Sequence, residues 1–375
     1  MFLKFIDYAI IKTNFEEENM KSTFPGVWYE EKAIEILLKE ADVAIKYRIL
    51  SEIYDKRNMV ECTQLQRKLE DSTKAKRLLV YLANKKEYHG ATLHAVENSL
   101  NILIDMGFLY GVGFDEFDRI LENLAKEVKG RTIEGHHVLR YLPNIVIVPI
   151  FLRAGVYEEW MIEFVKERID TIYNFVQQGN YDIYDSVNQY KGIPKSFQGR
   201  PIVRPELYEQ GKIKLPLEYD IYGFASVYMK LPQDYKNRID AIIIYIMDKK
   251  FQQVADGYGI LTDKKKYWAL GWDPKPLEFE KEYCYNPLLL KMGLLSNFEV
   301  ATKSEWFLQA LKIVERYKDD NGLYHFPKNY LTEKDSCWIL GNHMGVGENR
   351  RNKNALIHEG TFRALVIKNN LKNFS

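Results

Sequence analysis

The sequence predicts an all-α fold: one α/α toroid of paired helices over residues 1–375, with a long irregular loop region around 179–222. Three observations carry this expectation. Apolar residues recur at spacings of three and four over most of the chain. No stretch alternates strand with helix as a βαβ sheet requires. The helical segments come in pairs joined by glycine-rich and aromatic loops, which suits a closed ring of helical hairpins. In such a ring the inner helices bury both faces and the outer ones only one.

Taken in order, Tyr29–Lys56 opens the helical pattern, and Cys62–Lys85 and Ala91–Phe108 continue it. Gly111 to Gly113 then punctuates the chain. Phe114–Val128 sets Ile120, Leu121, Leu124 and Val128 on one stripe. Ile133–Phe151 is strongly apolar, with Pro143 and Pro149 expected to bend or divide it. Its run VIVPIFL, Val146–Leu152, reads as an inner helix. Tyr157–Gln178 is amphipathic, and Asp182–Tyr190 reads as a short helix. Phe197–Phe224 holds three Pro and three Gly among many charges, so a structured loop is expected there, with a small hairpin around Gly211. Loops this long are usually functional or disordered, and the aromatic content argues against disorder. Helices are expected again at Asp220–Leu231, Gln233–Lys249, Pro287–Met292, Ala301–Lys318, Glu333–Leu340 and Asn352–Asn369. No strict repeat supports a regular solenoid.

The 375 residues are 46% hydrophobic and 28% charged, a soluble globular composition. Lys+Arg number 53 against 52 Asp+Glu, which leaves no electrostatic footprint for nucleic acid or an anionic membrane. The cysteines, Cys62, Cys284 and Cys337, are odd in number and widely spaced, so a disulfide framework is not expected and a reduced compartment is. Lys4, Asp7 and Lys12 interrupt the N-terminal apolar residues, against a signal-peptide core. No apolar stretch is long enough to span a bilayer. The expected location is cytoplasmic. Aromatic residues reach 14%, including 26 Tyr, which serves either a large core with Tyr at its rim or an aromatic-lined cavity.

Ser304–Pro327 reads SEWFLQALKIVERYKDDNGLYHFP: an amphipathic helix, a polar turn, Asn321-Gly322, then aromatics, His325 and Pro327. This resembles the repeat ending of the terpenoid cyclase and protein prenyltransferase superfamily, where an Asp-Gly-aromatic turn after a helix locks helical hairpins together. VADGYGIL, Val254–Leu261, looks like a second copy, with Asp256-Gly257-Tyr258 after the segment Arg238–Phe251. The resemblance covers a minority of the chain. It implies an α/α toroid with a central apolar cavity and a small-molecule ligand of apolar or isoprenoid type. The chain departs from the family in its chemistry. It has neither the Asp-x-Asp-Asp run that starts cyclisation by protonation nor an Asp-Asp-x-x-Asp run for diphosphate and magnesium. DSCW, Asp335–Trp338, is similar to the Asp-x-Cys that gives two zinc ligands in prenyltransferase β subunits, with His343 and His358 as the available partners. The family's His lies farther downstream than this chain permits. Cys337 is read as a buried small hydrophobe and no metal is expected.

ILGNHMGVGENRR, Ile339–Arg351, has two readings. As a joint, Gly341 or Gly345 takes positive φ to end a helix, and Asn349 or Asn352 caps the next. LYGVGFDEF, Leu109–Phe117, repeats the Gly-Val-Gly plan without an Arg pair. As a site, His343, Glu348, Arg350 and Arg351 precede a helix N-terminus, where a phosphate, diphosphate or carboxylate docks. His358 shares a face with Phe362 and Leu365, as a core residue or as a cavity acid–base group. Asp220 either caps a helix or points to the cavity mouth beside Tyr219 and Tyr222. Trp268, Trp272 and Asp273 are placed on a loop, suited to a sugar platform or an isoprenoid pocket. His136-His137 is read as a helix start. The catalytic candidates are thus Asp220, His343 and His358. The ligand-binding candidates are Tyr222, Trp268, Trp272, His325, Glu348, Arg350 and Arg351. Three functions stay open: an apolar or isoprenoid ligand held in the ring, a carbohydrate-active toroid, and a non-catalytic scaffold. Cavity lining separates them. An apolar lumen with one anion site fits the first, two carboxylates about 5–10 Å apart in a polar groove fit the second, and a self-filled ring fits the third.

Overall fold

The computed structural model describes residues 27–130 and 142–374. His136-His137 lies outside these residues. The described chain is mostly helical, with one small sheet. The helices are α1 (Val27–Glu40), α2 (Val43–Arg48, prolonged by a π turn at Ile49–Ile53), α3 (Val60–Glu70), α4 (Thr73–Ala83), α5 (Val96–Met106), α6 (Asp115–Gly130) and α7 (Leu142–Arg153). They continue as α8 (Glu159–Val176), α9 (Glu218–Val227), α10 (Gln233–Met247), α11 (Leu288–Leu295), α12 (Glu299–Thr302), α13 (Glu305–Glu315) and α14 (Ala355–Lys372).

Two kinds of helix alternate along the chain. Every residue of α5 is buried, as is Ile145–Leu152 of α7. By contrast α3 buries only Cys62 and Leu69, and α13 only Phe307, Ala310 and Val314. The apolar stripe of a one-faced helix accounts for the second kind, and apolar residues on all sides account for the first. The deeply buried helices touch in succession: α2 with α5, α5 with α7, α7 with α9, α9 with α11, α11 with α14, and α14 with α2. The most extensive of these contacts joins α7 and α9. Pro149 sits inside α7 without ending it. A Cβ on Gly223 would meet the Pro149 ring at 3.2 Å, so the glycine lets α9 lie close against the proline side of α7.

The all-α expectation is corrected by a four-stranded sheet of order β1-β2-β3-β4. β1 (Tyr184–Asp185) pairs antiparallel with β2 (Ile202–Val203), β2 parallel with β3 (Gly259–Asp263), and β3 antiparallel with β4 (Lys266–Leu270). The long loop region therefore contributes β1 and β2. The expected hairpin around Gly211 is a single turn, and the hairpin is β3–β4, turning at Lys264 with φ +56°. Asp256-Gly257-Tyr258 accordingly leads into a strand rather than into a helix. The helices expected at Asp182–Tyr190 and Glu333–Leu340 are also corrected. The first contains β1 and one turn, and the second is extended chain with one turn at Trp338–Leu340. No helix among the described residues is long and apolar enough to cross a membrane.

Candidate functional site

Charged side chains stand where the buried helices would otherwise be apolar. On α5, Glu97, Asn101 and Asp105 follow at i, i+4 and i+8, so they share one face. On α9, Glu218, Tyr222 and Ser226 do the same, and on α14 Glu359 and Arg363 are four apart. Trp338, 1% exposed, is inserted between these faces. Its backbone N–H donates to Asn98 Oδ1 at 3.0 Å and its indole Nε1 donates to Asp105 Oδ2 at 3.0 Å.

Asp105 organises one end. Its Oδ1 accepts from Arg153, and its Oδ2 accepts from Arg363 Nη2 at 3.1 Å. Arg48 donates to the Asp105 carbonyl at 2.9 Å and forks onto Glu52 with two bonds of 2.7 Å. Arg153 also donates to Asn101 Oδ1 at 2.6 Å, and its guanidinium lies 4.4 Å from the centre of the Trp338 ring. Burial alone opposes ionisation of Asp105, yet Arg153, Arg363 and Arg48 hold its carboxyl well below the usual carboxylate range.

Beside this cluster opens a cavity of about 260 Å³. Its apolar wall comes from Leu289, Leu290 and Leu294 of α11 and from Phe362 and Val366 of α14, and its charged wall is Arg48, Arg153 and Arg363 with Asp105 among them. Two buried polar atoms on it, Tyr222 Oη and Arg363 Nε, have no hydrogen-bond partner. Buried donors are rarely left so, and an oxygen in the cavity would answer both. A wider groove of about 480 Å³ lies against α8. There Arg204 pairs with Asp182 and Lys212 with Glu167, so those charges answer one another.

Of the residues nominated from sequence, Tyr222 lines the Arg cavity. Asp220 is bound elsewhere. Arg168 forks onto its two oxygens at 2.9 and 2.7 Å, and the Leu217 N–H donates to it at 2.9 Å, which caps α9. Trp268 is in β4, half-buried, rather than on a loop. Trp272 follows that strand, with its ring 4.9 Å from His89 and 5.5 Å from Tyr219. His325 is exposed and pairs with Asp319 at 2.9 Å. Asp319 in turn accepts the Asn321 and Leu323 N–H groups, each at 2.9 Å, and so builds the Asn321-Gly322 turn.

The Ile339–Arg351 stretch divides. Gly341, at φ +74°, ends the Trp338–Leu340 turn, whereas Gly345 is not in the left-handed region. Glu348 accepts the Thr73 and Lys74 N–H groups at 2.7 and 3.3 Å, beside Ser72, which caps α4 by accepting the Ala75 N–H. Arg350 faces carboxylates, Glu359 at 3.1 Å and Glu333 at 3.5 Å, while Arg351 is exposed. The two Arg side chains thus part company. The residue before α14 is Asn354, without a side-chain cap; Asn349 and Asn352 accept the N–H groups of Arg351 and Asn354. His358 is buried on α14 and lines a void of about 80 Å³ with Glu40 and Asp42. Among the described residues no group of three or more His, Cys, Asp and Glu is placed to hold a metal ion. Cys337 is half-buried rather than fully buried.

His343 is buried, with Nδ1 3.2 Å from the Lys334 carbonyl and Nε2 3.6 Å from Glu333. Burial and the nearby Lys74 charge lower its pKa to about 4. The unfolded chain, with His near 6.5, takes up the proton first as pH falls. The stabilisation is therefore complete above about pH 6.5 and declines as pH drops towards 4, by something on the order of 3 kcal/mol. In His343→Gln the urea midpoint should flatten across that interval; an unchanged slope would remove His343 as its source.

Sequence reasoning passed over Arg48, Asp105, Arg153, Arg363 and Trp338. The signal was a charge inside an apolar helix: Asp105 in NILIDMG, Arg153 in IFLRAG, Arg363 in TFRAL. Such residues are rarely buried unless paired. Comparison with protein-family models, with curated proteins and with solved structures finds no match to this chain.

Proposed function

We propose that the protein is an α/α toroid, similar in shape to terpenoid cyclases and prenyltransferases, whose lumen holds a small apolar ligand with an anionic head. The ring is supported by the return of the helix contacts from α14 to α2. The observation that carries the ligand is the pairing, in one cavity, of a leucine wall with Arg48, Arg153 and Arg363. Trp338 donates its indole N–H to Asp105, whose carboxyl lines the same cavity. Its about 260 Å³ is at the small end of ligand pockets and suits an isoprenoid or acyl body of one or two isoprene units. With no Asp-Asp-x-x-Asp run to gather magnesium, the head is met by guanidinium and by the free Tyr222 hydroxyl.

Gly293 gives a clean test. It lines the cavity, and a Cβ there would meet nothing within 4 Å. Gly293→Leu starts its side chain in open space beside the cavity, and losing a helical Gly adds stability. Calorimetry with dimethylallyl diphosphate, geranyl monophosphate and hexanoate should detect at least one binder. Gly293→Leu should abolish that binding, and Tyr222→Phe should weaken it about tenfold. Binding undiminished in both variants, or no binder and no co-purified ligand in native mass spectrometry, would discard the reading.

A further inference from the structure

At the other end of α5, roughly 12 Å along the helix from Asp105, a second cluster is built around Glu97. Glu97 is 2% exposed and His89 is 39% exposed. Glu97 Oε2 is 2.7 Å from His89 Nδ1 and accepts the Tyr219 hydroxyl at 2.7 Å. Its other oxygen accepts the Gly90 N–H at 3.3 Å. The segment carrying His89 is held fast, because Asn98 Nδ2 donates to the Gly90 and Thr92 carbonyls, each at 2.8 Å. The imidazole is thus fixed through Nδ1 by a buried carboxylate. Its half-exposed ring leaves Nε2 for something outside, the arrangement by which a carboxylate orients a working histidine.

Trp272 closes one side, its ring nearly perpendicular to His89 at 83° and to Tyr219 at 72°. Its φ of +65° is one that non-glycine residues seldom adopt. Strain of this sort gathers at functional sites. The Trp272 carbonyl accepts the Glu218 N–H at 2.7 Å, which ties the indole to the start of α9. Glu218 is 3% exposed; Lys291 holds its Oε2, and its Oε1 has no hydrogen-bond partner. None of this belongs to the arginine cavity, whose lining does not include these residues.

We propose that His89, oriented by Glu97, is the polar anchor of a second site, which takes a neutral carbohydrate against Trp272. The half-buried indole offers an apolar surface, and the exposed side of His89 offers a polar group for a hydroxyl. The surrounding carboxylates, Glu87, Glu97 and Glu218, disfavour an anionic sugar. With its Nδ1–H given to Glu97, neutral His89 presents Nε2 as an acceptor to a ligand hydroxyl, and no bond is made or broken. Burial alone lowers the His89 pKa, but the hydrogen bond and charge of Glu97, with Glu87, raise it above its ordinary value. Glu97 acts as a positioning residue.

The test follows the His89 imidazole resonance in the intact protein by NMR, with cellotriose and maltotriose as probes. His89 should titrate above its ordinary value and move down in Glu97→Gln. At least one trisaccharide should shift the resonance and bind about tenfold more weakly in His89→Gln, a half-exposed position that tolerates the change. Trp272→Ala should lose that binding. The proposal is overturned if neither sugar moves the resonance, if His89→Gln binds as the parent does, or if Glu97→Gln leaves the titration unmoved. Should Glu97→Gln fail to fold, His89→Gln decides alone. Binding of isoprenoid phosphates at the arginine cavity is a separate readout and does not enter.

Discussion

Asp105→Asn should lower the free energy of unfolding by about 3–5 kcal/mol, the usual cost of removing one partner from a buried ion pair. The carboxylate is what lets two guanidinium groups, Arg153 and Arg363, remain charged in the interior, and it also receives the Trp338 indole N–H. An amide of the same shape keeps an acceptor and loses the charge. Urea unfolding measures the difference, and a change under about 1 kcal/mol would show that the cluster is neutralised from elsewhere. The pH dependence has a definite sign. Asp105 is held below its unfolded pKa, so its contribution is present above about pH 4 and is lost as pH falls through the depressed folded value. The Asn variant should lack that acid-limb loss. It should also keep binding an anionic probe, because Arg153 and Arg363 stay in the cavity wall.

The helices could be read from sequence wherever one face repeats, and the sheet could not. The stripe Ile120, Leu121, Leu124 and Val128 is buried on α6 as the spacing predicts, and VIVPIFL is buried throughout on α7. β1 and β2 are two residues each and exist by pairing across distant segments, and two residues cannot express a period of two. Glu333–Leu340 has helix-like spacing, but Trp338 leaves that register to fill the space beside Asp105, which tertiary packing decides. The site residues show the same limit. Asp105, Arg153 and Arg363 are each visible as a charge in apolar surroundings, yet only the crossing of α5, α7 and α14 makes them partners. His89 and Glu97, eight residues apart, meet because the chain between them folds back on the start of α5. In the other direction, Arg350 and Arg351 look like one anion site in sequence and face different surroundings in the structure.

Lys74→Met should cost about 3–5 kcal/mol and loosen the Glu333–Gly347 segment. Lys74 is buried on α4, and its ammonium donates to Glu333 Oε1 at 3.0 Å, to the Gly345 carbonyl at 3.1 Å and to the Gly347 carbonyl at 3.0 Å. Met matches the side chain in length and supplies no donor, so two carbonyls lose their partner and Glu333 keeps only the Arg350 charge. Each buried acceptor left alone costs about 1–3 kcal/mol. Glu348→Ala makes the control. It removes an acceptor for the first turn of α4, leaves the Ser72 cap and the ammonium in place, and should cost only about 1 kcal/mol. Hydrogen exchange across residues 333–347 should rise sharply in Lys74→Met and little in the control. The electrostatic consequence is independent of stability. The Lys74 charge helps to hold the His343 pKa down at about 4 and the Glu333 pKa below its ordinary value. With that charge gone, both should move up in an NMR titration of the folded variant. If His343 stays where it was, burial alone accounts for its neutrality, and the ammonium is no part of what keeps this segment closed against the helices.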